Sequence, residues 1–334
     1  MLTPRVNILL PTYEPDPKYL QQAIESVQAQ TEHRWMLLIH DDASTTEVAP
    51  IIEPFLHDIR IVYARSPRRL GIGGNWNATL LGKDVIDPVT RGQLTGAPFV
   101  QYLFQDDRWE PMYLERTLAV MQKHPDVGCI AVQHRYAFEG ESAVRDQYEA
   151  LAAFRRDAIA PGKHDGGAFL RWWIERGLHP NVIGEPSFVM LRRELVQRVG
   201  LFSDNMPQSL DAEYWVRVLS HTQWFNLAQD LGTFRVHPSG ASERNRIEGR
   251  GLFDRFRCLE RALTEVPAGP DRRRARAAIV THLALMIKKF RGRREEGGAV
   301  HAGGSGALIR FGLRHPLLTL RALRGVFKRG KLVL

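Results

Sequence analysis

Phe99-Val100-Gln101-Tyr102-Leu103-Phe104-Gln105-Asp106-Asp107-Arg108-Trp109-Glu110-Pro111 is the stretch on which the fold turns. Phe99–Phe104 is an apolar run of strand length that leads straight into two adjacent carboxylates. Helical periodicity follows over Met112–Lys123. Carboxylate oxygens suit hard cations such as Mg2+ or Mn2+. An ion of that kind can hold a diphosphate and neutralise it as it departs. The same pair also fits an ordinary helix start, with one aspartate capping and its neighbour solvated.

Working outward, the same alternation repeats. Arg5–Leu10 reads as a buried strand ended by Pro11, and Pro17–Gln30 as a helix through Leu20, Ile24 and Val27. Trp35–Ile39 and Ile59–Tyr63 read as strands around a helix over Glu47–Leu56. Gly71–Leu81 starts rich in glycine and continues as a helix. Lys83–Ala97, with Pro88 and two glycines, reads as a loop or insertion. Val127–Gln133 is a strand, Glu139–Lys163 is irregular, and Gly167–Arg176 is helical. Ser187–Leu191 reads as a strand, Glu194–Val199 and Leu210–Leu219 as helices, and Trp224–Val236 as one or two strands.

Strands alternating with helices predict an α/β fold with a mainly parallel sheet and helices on both faces. Such sheets bind ligands at the carboxyl ends of their strands. Thr12–Glu14, Asp41–Ser44 and Gln105–Arg108 would all gather on that edge.

Each cluster has a functional and a plain reading. In Pro11-Thr12-Tyr13-Glu14 the tyrosine can stack on a nucleobase and the carboxylate can accept a base N–H, but these are also turn residues. The same holds for Asp41-Asp42-Ala43-Ser44. In Leu70-Gly71-Ile72-Gly73-Gly74-Asn75-Trp76-Asn77 the glycines allow close approach to a phosphate or sugar, or simply form a turn. Asp211 and Trp215 share a helix face, with Asp211 placed to accept a proton or merely to cap. His237 follows a strand, where it can complete a metal shell or pack.

The net charge of +9 is unevenly placed. From Gly251 onward there are 19 Lys/Arg against six Asp/Glu, whereas the first 250 residues carry 27 against 31. The basic character thus belongs to a helical C-terminal extension, 246–334, with a flexible linker over about 292–306. Leu317, Leu320, Leu323 and Phe327 fall at helical spacing among arginines, and Pro316 divides that segment into two short helices. The pattern suits an anionic membrane surface, and equally a helix packed on the catalytic domain or on a second copy in a homo-oligomer. Two cysteines offer no disulfide framework, no leader segment is visible, and no apolar run is long enough for a membrane span. These point to the cytoplasm.

Taken together, in this order and at this spacing, the segments resemble inverting nucleotide-sugar glycosyltransferases of the GT-A-fold family two, over about residues 5–240. The resemblance implies a Rossmann-like catalytic domain over 1–245, with a nucleotide-binding half to about 135 and an acceptor half after it. It implies a nucleotide diphosphate-sugar donor, a UDP-sugar favoured, and a hydroxyl of a glycan or lipid-linked acceptor, as in polysaccharide synthesis. By resemblance, Pro11, Tyr13 and Glu14 open the nucleotide pocket, and Asp41 or Asp42 faces the base. Asn75 and Asn77 line the donor side, Asp106 binds the ribose, and Asp107 holds Mn2+ or Mg2+ with His237 as helper. Asp211 is the catalytic base, and Asn181–Ser187 is similar to the acceptor-side strand entry. Two positions depart from the pattern: Arg108 follows the carboxylate pair, and Leu210 precedes Asp211.

Three rivals are weaker. A nucleotidyltransferase of related fold would want a glycine-rich first loop, and residues 5–16 contain no glycine. A non-catalytic nucleotide-sugar-binding or scaffold protein would not need Asp106, Asp107 and Asp211 intact. A nucleic-acid binder would want aromatics interleaved with the basic tail, whose aromatics are scattered phenylalanines.

Overall fold

The structure, a computed structural model, describes residues 3–140, 144–206, 208–238, 240–241, 245, 254–295 and 309–327. The chain divides into two compact units, residues 1–166, 182–205 and 221–238 in one, and 167–181, 206–220 and 239–334 in the other.

The first unit carries the strands β1 (Val6–Thr12), β2 (Trp35–Asp41), β3 (Ile61–Arg65), β4 (Phe99–Tyr102), β5 (Arg108–Trp109), β6 (Val127–Val132), β7 (Arg135–Phe138), β8 (Gly162–Asp165), β9 (Val189–Arg192), β10 (Gln223–Leu227) and β11 (Gly232–Val236). Among the described residues, eight form a sheet in the order β3-β2-β1-β4-β9-β6-β10-β8, and β5-β11-β7 form a smaller one. The pairs β1·β2, β2·β3, β1·β4 and β6·β10 are parallel, while β9 runs antiparallel between β4 and β6. The expected mainly parallel sheet is present.

Its helices are α1 (Pro17–Gln28), α2 (Ala49–Ile52), α3 (Ile72–Leu80), α4 (Pro88–Gly96), α5 (Tyr113–Lys123) and α6 (Arg145–Ala158). All of β1 and β2 is buried, as a strand covered on both faces must be. One face packs Ile8, Leu10, Leu37 and Ile39 against Leu20, Ile24 and Val27 of α1 and Leu114 and Leu118 of α5. The other packs Met36 and Leu38 against Val85 and Leu94.

That second layer corrects the reading of Lys83–Ala97 as a loop. Asp87 caps α4 by accepting from Thr90 N at 2.8 Å, and Pro88 sits in the first turn, where its missing N–H costs nothing. Leu94 then buries fully, worth about 1.5–3 kcal/mol. The described part of Glu139–Lys163 is likewise not irregular, since it holds α6 and the start of β8. In α6 the buried residue is Arg155 rather than a large apolar one, so no hydrophobic period announces it. The C-terminal strand region resolves into two strands, β10 and β11.

Helix α8 (Arg193–Val199) also belongs to this first unit, while α7 (Gly166–Glu175), α9 (Leu210–Leu219), α10 (Asp254–Glu265), α11 (Pro270–Glu295) and α12 (Pro316–Phe327) fall in the second. The second unit is helical. Trp173, Tyr214, Trp215, Leu259, Ile279 and Leu283 are buried in it. Glu213 of α9, buried, accepts from Arg217 Nε and from Arg261 Nε of α10, each at 2.9 Å. Buried carboxylates need such partners. Helix α11 runs to Glu295, four residues into the stretch expected as a linker, and 296–308 lie outside the described residues. Among the described residues no helix is long and apolar enough to cross a membrane.

Candidate functional site

Parallel register places the carboxyl ends of β1, β2 and β4 side by side, with Thr12 opposite Asp41 and Leu103 N donating to Leu9 O at 2.9 Å. The polar clusters after these strands therefore meet on one edge. Gln105 joins two of them. Its Oε1 accepts from Thr12 Oγ1 at 2.7 Å and Tyr13 N at 2.8 Å, and its Nε2 donates to Tyr13 O at 3.3 Å.

Most expected site residues on this rim are engaged with one another's loops. Pro11 is buried, opposite His40. Arg69 lies over the ring of Tyr13, 4.1 Å from its centroid. Glu14, at φ 44°, donates from its N–H to Ser44 Oγ at 2.9 Å. Its carboxylate accepts from the backbone N–H and hydroxyl of both Thr45 and Thr46. Those bonds, Thr45 foremost, favour the charged form and hold Glu14 down at about 2. A carboxylate offers about four acceptor positions, and all are taken.

Asp41 is buried and accepts from Ser44 N at 3.1 Å, Ser44 Oγ and Arg65 Nη1 at 2.7 Å. Asp42 accepts from Leu70 N at 2.6 Å and Gly71 N at 2.9 Å, and burial pushes its carboxyl up. Asn75 spans Thr12 O and the His40 ring, 2.7 Å from Nδ1. Asn77 exchanges two 2.9 Å bonds with the backbone of Phe202. The glycine run serves the same loop. A Cβ on Gly73 would meet Asp204 Cα at 2.7 Å and Ser203 O at 2.9 Å, so its close approach is to the chain's own backbone.

Asp106 and Asp107 differ sharply. Asp107 is 2% exposed. Its Oδ2 accepts from Ser187 Oγ, and its Oδ1 from Arg235 N at 3.2 Å. Burial raises its pKa well above the usual carboxylate range, and the Asp106 charge adds to this. Asp106 has one oxygen, Oδ1, that is buried without a hydrogen-bond partner. The other, Oδ2, lies 3.4 Å from His237 Nε2, just past β11. A buried carboxylate oxygen with no hydrogen-bond partner, on a side chain beside an imidazole, offers lone pairs that a hard or borderline cation fits. Among the described residues no group of three or more His, Cys, Asp or Glu side chains gathers that could hold a metal ion, and Asp106 and His237 are a pair.

Sequence reasoning missed Ser187 and Arg235 as partners of Asp107, and Gln105 as the tie to Thr12 and Tyr13. Arg235 is buried, lies 4.0 Å over the Tyr19 ring and donates to Gln22 Oε1 at 2.7 Å, with Nη1 left unbonded. Glu185 was also missed. Burial raises its carboxyl, but His134, 3.1 Å away, and Arg155 bring it below its ordinary value. An open cleft of about 590 Å³ lies at the ends of β2 and β3, lined by Ala43, Arg65, Ser66, Asp84, Ile86 and Arg91.

Asp211 belongs to the second unit, in the first turn of α9. It is half-buried, its Oδ2 accepts from Asn181 Nδ2 at 2.8 Å, and Trp215 on the same face is buried. Asn181 precedes the segment that carries Glu185 and Ser187.

Comparison with known proteins adds to this geometry. The family model described as glycosyl transferase family 2 matches residues 7–198. An uncharacterized glycosyltransferase of Methanocaldococcus jannaschii is 20% identical over 258 residues, 76% of this chain and 78% of that protein. The structure of S. aureus TarS 1-349 in complex with UDP-GlcNAc superposes with a TM-score of 0.61 at 12% identity, covering 96% of this chain and 80% of that one. The mannosyltransferase PcManGT of Pyrobaculum calidifontis, in complex with GDP-Man and Mn2+, gives 0.55 at 15% identity, covering 99% and 89%. At such identities the structural likeness is one of fold.

Proposed function

This chain belongs to glycosyl transferase family 2, and from that premise we propose that it transfers a sugar, with inversion, from a nucleotide diphosphate donor to a hydroxyl of a glycan or lipid-linked acceptor. The observation that carries the reading is the buried, unbonded Oδ1 of Asp106, with His237 beside Oδ2, at the carboxyl end of the central sheet. Asp106 and His237 would hold Mn2+ or Mg2+. When bound, such an ion neutralises charge building on the departing diphosphate. Asp107 supports this role from behind. Fixed by Ser187 and the backbone of Arg235, it locks the turn that presents Asp106.

Asp211 is the proposed base. It accepts the proton of the acceptor hydroxyl, whose oxygen forms the new bond to the anomeric carbon as the bond to the diphosphate oxygen breaks on the opposite face. A positioned base contributes about 10²–10⁴-fold. Asn181, bonded to Oδ2, keeps the carboxylate oriented. Tyr13, Asp42 and the glycine-led turn shape the nucleotide side, in our reading more through the loops they brace than through free side chains. UDP-sugars are the first donors to try.

A thermal-shift panel of nucleoside diphosphates with and without Mn2+, followed by donor hydrolysis and transfer assays, tests the function. A ligand at 100 times its Kd raises stability by about 2.7 kcal/mol. Stabilisation by one diphosphate only with metal, together with donor turnover, supports it. Binding without any turnover would instead support a non-catalytic sugar-nucleotide binder.

A further inference from the structure

We propose that residues 309–327 dock this protein on an anionic lipid surface, through a stripe of exposed aliphatic side chains bordered by arginines. Residues 309–314 are helical, His315 breaks the helix, and α12 follows. One face of this pair is packed. Phe311, Leu318 and Ala322 are buried, and α12 lies against α11, where a Cβ on Gly325 would stand 3.7 Å from that of Ala284. The segment is thereby held in place without its second face.

That second face is apolar as well. Ile309, Leu313, Leu317 and Leu320 are 61%, 77%, 71% and 54% exposed. Ile309 and Leu313 are four apart on the first helix, and Leu317 and Leu320 three apart on the second, so each pair shares one face of its helix. Single exposed leucines are ordinary, but a run of them on one short segment marks an interaction surface.

The charges select the partner. Arg310, Arg321 and Arg324 are exposed, and Arg314 is 64% exposed while donating to Glu260 at 2.9 Å. No aspartate or glutamate occurs in 309–327, and Lys328, Arg329 and Lys331 follow in the sequence. A second copy of the same stripe would set arginine against arginine. A partner that offers negative charge above an apolar layer satisfies both sets of side chains, and an acidic bilayer is that partner. The helices are too short to span, so they would lie in the plane of the interface. Vesicle binding can be read without donor or acceptor.

The test is co-sedimentation of the full chain with vesicles of phosphatidylglycerol and phosphatidylcholine, and with phosphatidylcholine alone. The chain should bind the acidic vesicles, release as salt shortens the Debye length, and ignore the neutral ones. The triple variant Leu313→Ser, Leu317→Ser, Leu320→Ser and, separately, Arg310→Gln, Arg321→Gln, Arg324→Gln should each lose at least about tenfold in partitioning with unchanged thermal melting. No binding by the unaltered chain, or equal binding by it and either variant, overturns the proposal. So does a dimer in lipid-free sedimentation velocity that the leucine variant abolishes, which would assign the stripe to a second copy.

Discussion

Asp106 and His237 stand with Oδ2 and Nε2 3.4 Å apart, although 131 positions separate them in the chain. Strand pairing brings this about, since β5, two residues past Asp106, pairs with β11, which ends next to His237. Asp106→Ala should therefore abolish metal-dependent binding of a nucleoside diphosphate while leaving the melting temperature within a degree or two of the unaltered chain. Asp107→Ala should lower the melting temperature as well, because it strands the Ser187 hydroxyl and the Arg235 N–H, at about 1–3 kcal/mol. Calorimetric titration with Mn2+ and melting curves decide between the two carboxylates. Retained metal dependence in Asp106→Ala would falsify the assignment.

Asp211→Asn preserves the shape of the side chain and its neighbour Asn181. Donor affinity should stay within about threefold while transfer falls by about 10²–10⁴. Wild-type turnover in this variant, measured under saturating donor, would remove Asp211 from the reaction.

Glu14 gives a pH signature. Its folded value is about 2 against an ordinary 4.5, so it stabilises the fold above about 4.5 and loses that contribution as pH falls toward 2. The side chain is partly open to solvent, so the size is a few tenths to about 1 kcal/mol. In urea denaturation at a series of pH values, Glu14→Gln should be less stable than the unaltered chain by a constant amount above pH 5. The gap should narrow below that. A gap that widens in acid contradicts the bonding to Thr45 and Thr46.

Gly73 and Gly92 both lie in helices, with opposite surroundings. A Cβ at Gly73 meets backbone atoms at 2.7 and 2.9 Å, and one at Gly92 meets nothing within 4 Å. Gly73→Ala should destabilise by about 1–3 kcal/mol, overcrowding outweighing helix propensity. Gly92→Ala should stabilise by about 0.4–1 kcal/mol. Equal melting shifts of the same sign would show that the 200–205 loop is not seated on α3.

The sheet was legible because β1, β2 and β4 are buried on both faces and so read as continuous apolar runs ended by polar clusters. Helices α4 and α6 were not. One is announced only by an Asp-Pro cap among glycines, and the other turns an arginine inward. The three rim clusters could be placed on one edge from topology alone. What their side chains touch could not, because each partner is remote: Glu14 with Thr45, Asp107 with Ser187 and Arg235, Asn77 with Phe202. Nor can adjacency tell which of two neighbouring aspartates is buried, since that depends on which loop closes over the turn. The linker expected over 292–306 and the terminal basic residues from 328 lie largely outside the described residues.

The bonds by which Glu14, Asp41, Asp42 and Gln105 each brace the loops around them also bear on how such a chain could diverge. An exchange at any of these four loosens a neighbouring loop before it alters what the rim recognises, so the path to a new ligand preference does not begin there. Arg68 and Arg91 are exposed along the same edge. Drift at these arginines leaves the rim intact, and related chains with different preferences should differ first at such outward positions and only later, in concert, at the carboxylates beneath.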